Sequence, residues 1–134
     1  MMIEISTDKN RLDLEVIHSF LSNSYWGKGR GLEEIKLSID SSLNFGVYQK
    51  GKQIGFARVV TDYLVFAMLL DVFILPDYRG KGYSKQLMKV ILECSKLEKV
   101  KTWMLKTKDA HGLYMQFGFR EVQYPKKIME RILK

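Results

Sequence analysis

The chain has a single cysteine, two prolines and no long uninterrupted apolar run. Cys94 alone cannot form an internal disulfide, so nothing in the sequence calls for an oxidising compartment. The longest apolar run, Leu64 to Leu75 (LVFAMLLDVFIL), stops at twelve residues and contains Asp71. A membrane-spanning helix needs about 20 such residues. The opening MMIEISTDKNRLD lacks the charged-then-apolar order of a secretory signal, and the cytoplasm is the expected compartment. No Cys/His cluster shows metal-ligand spacing, and no metal is expected. Acids are also scarce: 15 Asp and Glu stand against 22 Lys and Arg, a net charge of +7. Residues 96–134 alone hold ten of those cations against four acids. Such a surface suits a polyanion, whether nucleic acid, an anionic membrane or a phosphorylated ligand, and it also serves plain solubility.

What is present describes one domain over residues 1–134, with no internal repeat and no Pro/Ser-rich linker. Ile3 to Ser6 reads as a short strand. Asp8 or Asn10 is the expected cap of a helix carrying Leu12, Val16, Ile17, Phe20 and Leu21 at helical spacing. After the loop SYWGKGRG, a second helix is expected from Leu32 to Ser41. Phe45–Gln49 and Gln53–Thr61 flank Lys50-Gly51-Lys52 as a hairpin. Leu64–Leu75 reads as a central strand covered on both faces. A helix over Lys81–Ser95 follows, with Cys94 on its apolar face. Next come a strand over Lys101–Thr107, a short helix over Asp109–Gln116 and a last strand over Phe119–Tyr124. The tail KKIMERILK fits either helix or strand. Helices alternating with strands after an antiparallel hairpin imply an α/β layer fold with a mixed sheet.

The stretch DYRGKGYSKQLM, from Asp77, lies where such folds bind ligands, beyond a strand and at a helix start. A helix N-terminus leaves backbone N–H groups without intrahelical acceptors and carries partial positive charge. Gly80 and Gly82 let an anion approach the backbone, while Arg79, Lys81 and Lys85 add charge. Two phosphate motifs are excluded. The P-loop pattern Gly-x4-Gly-Lys-Ser/Thr is absent, and Lys85 stands where the dinucleotide fingerprint Gly-x-Gly-x-x-Gly needs its third glycine.

Arg79-Gly80-Lys81-Gly82-Tyr83-Ser84 instead resembles the acyl-CoA motif Gln/Arg-x-x-Gly-x-Gly/Ala of the GCN5-related N-acetyltransferase (GNAT) family. The resemblance extends to DAHGLYMQFGF (Asp109–Phe119), to LDLEVIHSFLSNSYWGKGR and to GFARVVTDYLVFAMLLDVFIL, and is similar to a small bacterial subgroup. Ser84 departs from the motif's last Gly/Ala but remains small.

The resemblance implies a mixed, mostly antiparallel sheet flanked by helices, with a splayed parallel strand pair at the acyl-CoA site. It implies acetyl-CoA as donor, with pyrophosphate on the N–H groups of Arg79, Gly80, Lys81, Gly82, Tyr83, Ser84 and Lys85. Pantetheine would pair with the backbone of Val72, Phe73 and Ile74. The implied activity is direct transfer of an acetyl group to a primary amine of a small molecule, peptide or protein. The alternative is a non-catalytic acyl-CoA-binding regulatory module. Charge then needs neither nucleic acid nor membrane as partner, and a homodimer is left open.

Tyr114 matches the family position that protonates the departing thiolate, a task that suits a phenol. Asp71, an acid in an apolar strand, is either a catalytic base or a structural carboxylate at a bulge, with His111 or water as other bases. Tyr25 and Trp26 are expected at the acceptor side, where aromatics can hold an amine. Asp62 is expected to attract a cationic acceptor, and Arg58 and Thr61 to face the same cleft. Asp109 reads as a helix cap.

Overall fold

The computed structural model describes residues 2–24 and 28–133. Its centre is a five-stranded sheet in the order β1 (Glu4–Ser6), β2 (Leu43–Gln49), β3 (Lys52–Thr61), β4 (Phe66–Ile74) and β5 (Thr102–Leu105). Each neighbouring pair is antiparallel except β4 and β5, which run parallel. The sheet order follows the chain order because hairpins join β2 to β3 and β3 to β4. The parallel pair needs a crossover, which α3 (Tyr83–Glu93) supplies.

Helices cover both faces. On one side α1 (Leu14–Ser22) and α2 (Leu32–Asp40) bury Ile17, Leu21, Ile35 and Ile39 against Phe56 and Phe73. On the other, α3 buries Leu87, Met88 and Ile91 against Phe45, Val59 and Leu69. The apolar spacing within each helix puts these residues on one stripe, as an amphipathic surface helix requires. No described helix is long and apolar enough to cross a membrane.

Several local expectations change. Asp8 caps only a single 3-10 turn, Lys9–Arg11; α1 is capped by Asp13, whose carboxylate accepts from the Glu15 and Val16 N–H groups. Leu12 therefore precedes the helix. Cys94, expected within the helix over Lys81–Ser95, is the half-buried C-cap of α3. β4 starts later than its apolar run, leaving Leu64 and Val65 exposed, because Asp62 turns the chain there. The strand expected over Phe119–Tyr124 is absent. Gly118 (φ +89°) ends α4 (His111–Met115), and the Phe119 N–H turns back onto the Tyr114 carbonyl at 3.2 Å. Among the described residues, the chain beyond forms only a 3-10 turn, Pro125–Lys127, within an exposed tail.

Candidate active site

β4 and β5 pair over only four positions, from Phe66 opposite Thr102 to Leu69 opposite Leu105. β4 continues to Ile74, while the chain after β5 turns toward α4. The strands thus part, and between them lies a cleft of about 480 Å³. Leu70, Asp71 and Val72 line one wall, Lys106 and Thr107 the other, and Tyr114 is part of the lining. On this side Leu70–Ile74 have no strand neighbour among the described residues, so this edge of β4 can pair with an extended ligand.

The lip of the cleft is a β-bulge. Phe56 faces Phe73 and Arg58 faces Leu70, so β4 spends three steps where β3 spends two. Asp71 occupies the bulge with φ +56°, a left-handed conformation that Asp tolerates better than most residues. Its side chain is 2% exposed, and a buried carboxylate demands partners. It has two: Oδ2 accepts from Arg30 Nη1 at 2.8 Å and from Arg58 Nε at 2.9 Å. Arg58 also donates through Nη1 to Ser42 Oγ at 3.0 Å. Arg30, from the loop before α2, is itself part of the cleft lining.

Beyond the end of β4, Gly80 (φ +78°) and Gly82 (φ +79°) turn the chain into α3. Both take the left-handed region that glycine enters at no steric cost. The first intrahelical bond runs from the Gln86 N–H to the Gly82 carbonyl, so Ser84 and Lys85 N–H groups precede any helical acceptor. Lys81 and Lys85 are exposed beside this turn, and Ser84 is half-buried in it. Arg79 donates through Nε to the Ile74 carbonyl at 2.9 Å, tying the loop to the end of β4. The loop lies outside the lining of the cleft, along the same strand. Three other residues of the expected cofactor set bury their side chains. Phe73 stacks on Phe20 with ring centroids 4.1 Å apart, Ile74 sits in the opposite core, and the Tyr83 hydroxyl accepts from Gln49 Nε2 at 2.9 Å. Only their backbone can serve a ligand.

Tyr114 is 9% exposed and packs edge-on against Phe119, with ring centroids 6.0 Å apart. Thr107 Oγ1, not Asp109, accepts the Ala110 N–H at 3.0 Å before α4, which corrects the expected cap. Asp109 still borders the cleft, whereas His111 is exposed and outside that lining. Asp62 stands at the opposite end of β4 from the bulge. Its Oδ1 accepts from the Leu64, Val65 and Phe66 N–H groups at 3.0, 2.8 and 3.2 Å, which holds the carboxyl below the usual carboxylate value. Thr61 Oγ1 serves the same turn, donating to the Phe66 carbonyl. The expected approach of Asp62 and Thr61 to the cleft is thus corrected, since both serve the β3–β4 hairpin. Tyr25 and Trp26 lie outside the described residues. Arg30, like Lys106 and Thr107, is a cleft residue that sequence reasoning missed, and its one signal was Asp71's need for a counter-charge.

Comparison with known proteins gives this geometry a lineage. A family model described as an acetyltransferase (GNAT) domain matches residues 40–121. A Xanthomonas campestris pv. campestris protein assigned to that family superposes with a TM-score of 0.96 and 42% identity, over 99% of this chain and 94% of the other. The ribosomal-protein-S18-alanine N-acetyltransferase of Escherichia coli superposes with a TM-score of 0.73 and 25% identity, over 91% of this chain and 80% of the other. Among curated relatives, an uncharacterized N-acetyltransferase of Prochlorococcus marinus is 36% identical over 90 residues, 63% of this chain and 49% of its own length. A Gibberella zeae protein classed by resemblance as an acetyltransferase is 27% identical over 109 residues, 66% of this chain and 62% of its own length. The chain thus spans about half to three-fifths of the length of these two curated relatives. On the match over residues 40–121 and the shared fold, the chain belongs to the GCN5-related N-acetyltransferase (GNAT) family.

Proposed function

We propose that the protein is an N-acetyltransferase that moves an acetyl group from acetyl-CoA to a primary amine, directly, within a ternary complex. The observation that carries this reading is the parting of β4 and β5 beside a glycine turn at the start of α3. Those parts fit an acyl-CoA: an open strand edge for an extended amide chain, and backbone donors with two lysines for a pyrophosphate. Val72, Phe73 and Ile74 would contribute backbone to the former, and Arg79 to Lys85 to the latter. The thioester supplies an activated acyl group.

The chain's own groups supply the rest. Acyl transfer needs donors for a developing oxyanion and a proton for the leaving thiolate. The bulge takes a residue out of the β3–β4 ladder at the cleft lip, making the Val72 N–H a candidate oxyanion donor. Tyr114, in the cleft lining, is the proton donor. Asp71 enters as a positioning residue, because its Oδ2 is engaged by two guanidiniums and it anchors Arg30 beside the cleft. A water then takes the proton of the amine. The acceptor class includes small-molecule and protein amines. The protein-amine class has support from the name of the Escherichia coli relative, which acts on an alanine of a ribosomal protein.

The deciding experiment incubates the protein with acetyl-CoA and a broad panel of small amines and peptides, read by mass spectrometry. Addition of one acetyl mass to an amine, dependent on the protein, is expected. CoA binding without transfer to any amine would leave a non-catalytic acyl-CoA module in its place.

A further inference from the structure

An acyl-CoA would occupy the glycine turn and the open edge of β4, and neither place uses Arg30. This arginine comes from the loop leading into α2, which covers the sheet face opposite α3. It lines the cleft, whereas the glycine turn with Lys81 and Lys85 lies outside that lining. Its charge is therefore separate from the group that suits a pyrophosphate.

A guanidinium presents several N–H donors in a planar fork. Arg30 spends Nη1 on Asp71 Oδ2 at 2.8 Å, and Asp71 is its only acceptor among the described residues. Arg58 is more fully engaged, with Nε on the same oxygen and Nη1 on Ser42 Oγ. Asp71 thus offsets one of two positive charges. The other is left to Arg30, whose side chain is 23% exposed against 11% for Arg58. Lys106 and Lys108 also line the cleft, and Asp109 is the acid there besides Asp71. Lys106 has a partner in Glu130 at 3.3 Å, an exposed pair of the kind that holds weakly in water. Among the described residues the walls are cationic on balance. Such a cleft repels a polycationic acceptor and draws one that carries negative charge.

We infer that the acceptor is a small amine bearing a carboxylate, a free amino acid foremost, and that Arg30 holds the carboxylate through the N–H groups that Asp71 leaves open. The inference rests on the acetyltransferase reading and narrows its acceptor. Arginine–carboxylate pairs are charge-assisted and often bidentate, so they orient a substrate as well as bind it. Asp71 already fixes the guanidinium, which reduces the freedom lost when the carboxylate arrives. Arg30 and Tyr114 line one cleft, so a carboxylate on Arg30 brings a nitrogen a few bonds away toward the reacting carbon. That nitrogen bonds to the acetyl carbon as the C–S bond breaks. The amine's proton leaves to water, and Tyr114's goes to the thiolate and is restored from water. The products are an N-acetylamino acid and CoA. The N-terminal amine of a protein carries a peptide carbonyl in place of the carboxylate and is the poorer acceptor.

The test pairs each amino acid with its amide, which keeps the amine and removes the charge. The common α-amino acids, β-alanine and γ-aminobutyrate, each beside its amide, are offered with acetyl-CoA to the full chain. The expected result is a preference in kcat/KM for one or more acids over their amides of about 10- to 100-fold, the worth of a charge-assisted hydrogen bond. Arg30→Gln should collapse that ratio toward one, through KM, and Arg30→Lys should restore part of it. A merely structural loss would lower acid and amide alike. Calorimetric titration of the same pairs in the presence of CoA needs no turnover, and should show the acid binding and Arg30→Gln losing it. Acids that bind through Arg30 but are not acetylated would sink the acetyltransferase reading and keep Arg30 as the carboxylate site. Amides or peptides acetylated as fast as acids, a ratio that Arg30→Gln leaves intact, or neither binding nor transfer of any acid would overturn the inference. So would malonyl- or succinyl-CoA replacing acetyl-CoA with no preference among amines, since the carboxylate would then belong to the donor.

Discussion

Asp71 and Arg30 are 41 residues apart in sequence, and their side chains meet at 2.8 Å on the lip of the cleft. The same Oδ2 accepts from Arg58, whose side chain is 11% exposed, against 23% for Arg30. The two guanidiniums are therefore unequal. Asp71→Ala would strand the more buried cation without its counter-charge, and losing one partner of a buried pair costs about 3–5 kcal/mol. Arg30→Ala leaves Asp71 paired with Arg58 and should cost less, roughly 1.5–3 kcal/mol for one charge-assisted hydrogen bond. Denaturant melts of the two variants check the order. If Arg30→Ala proves as harmful as Asp71→Ala, the lip does not depend on Arg58 as described.

The glycine turn gives a cleaner separation of folding from binding. A Cβ built at Gly82 meets no atom within 4 Å, so Gly82→Ala introduces strain without a clash. The left-handed conformation then costs about 1–2 kcal/mol. Acetyl-CoA should raise the melting temperature of the wild type, and Gly82→Ala should shrink that rise as its methyl crowds the anion. Gly82→Trp should abolish it. Thermal scans with and without cofactor provide the measurement. A wild type that shows no rise at millimolar acetyl-CoA would remove the acyl-CoA reading altogether.

For Tyr114 the informative change is the hydroxyl alone. Tyr114→Phe keeps the ring that packs edge-on against Phe119. If the phenol protonates the thiolate, turnover should fall by about 10²–10⁴-fold, the usual worth of a positioned acid. The cofactor-induced rise in melting temperature should persist. Steady-state kinetics with any amine accepted in the panel decides it, and wild-type turnover would take Tyr114 out of the acid role.

Much of this arrangement was legible in the chain because its signals are local. The apolar run before Pro76 marks β4, and Gly80 and Gly82 mark the entry to α3. The partner of Asp71 was not legible, since nothing in periodicity relates a strand acid to an arginine in a distant loop. The site of Asp62 was misplaced for a related reason. Alternation shows which face of a strand is buried but not which end of the sheet opens, and Asp62 belongs to the closed end. Phe119–Tyr124 has the composition of a strand, but composition cannot supply the neighbour that a strand needs. β5 and this segment line one cavity, and no ladder joins them.

The Asp62 turn itself makes a prediction about acid. Three backbone N–H groups stabilise its carboxylate and hold it below the ordinary value of 3.8. In the unfolded chain that carboxylate loses those donors, so it binds a proton at higher pH than in the fold. The turn's contribution is therefore complete above about pH 4 and is lost as pH falls through the lower, folded value. Asp62→Asn retains a carbonyl that can accept from the same N–H groups but has no charge to titrate. Melting temperatures of wild type and Asp62→Asn should thus differ most at neutral pH, with the wild type higher, and converge as the pH drops below 4. Curves that stay parallel across that range would mean that the charge on Asp62 contributes nothing to holding the β3–β4 hairpin.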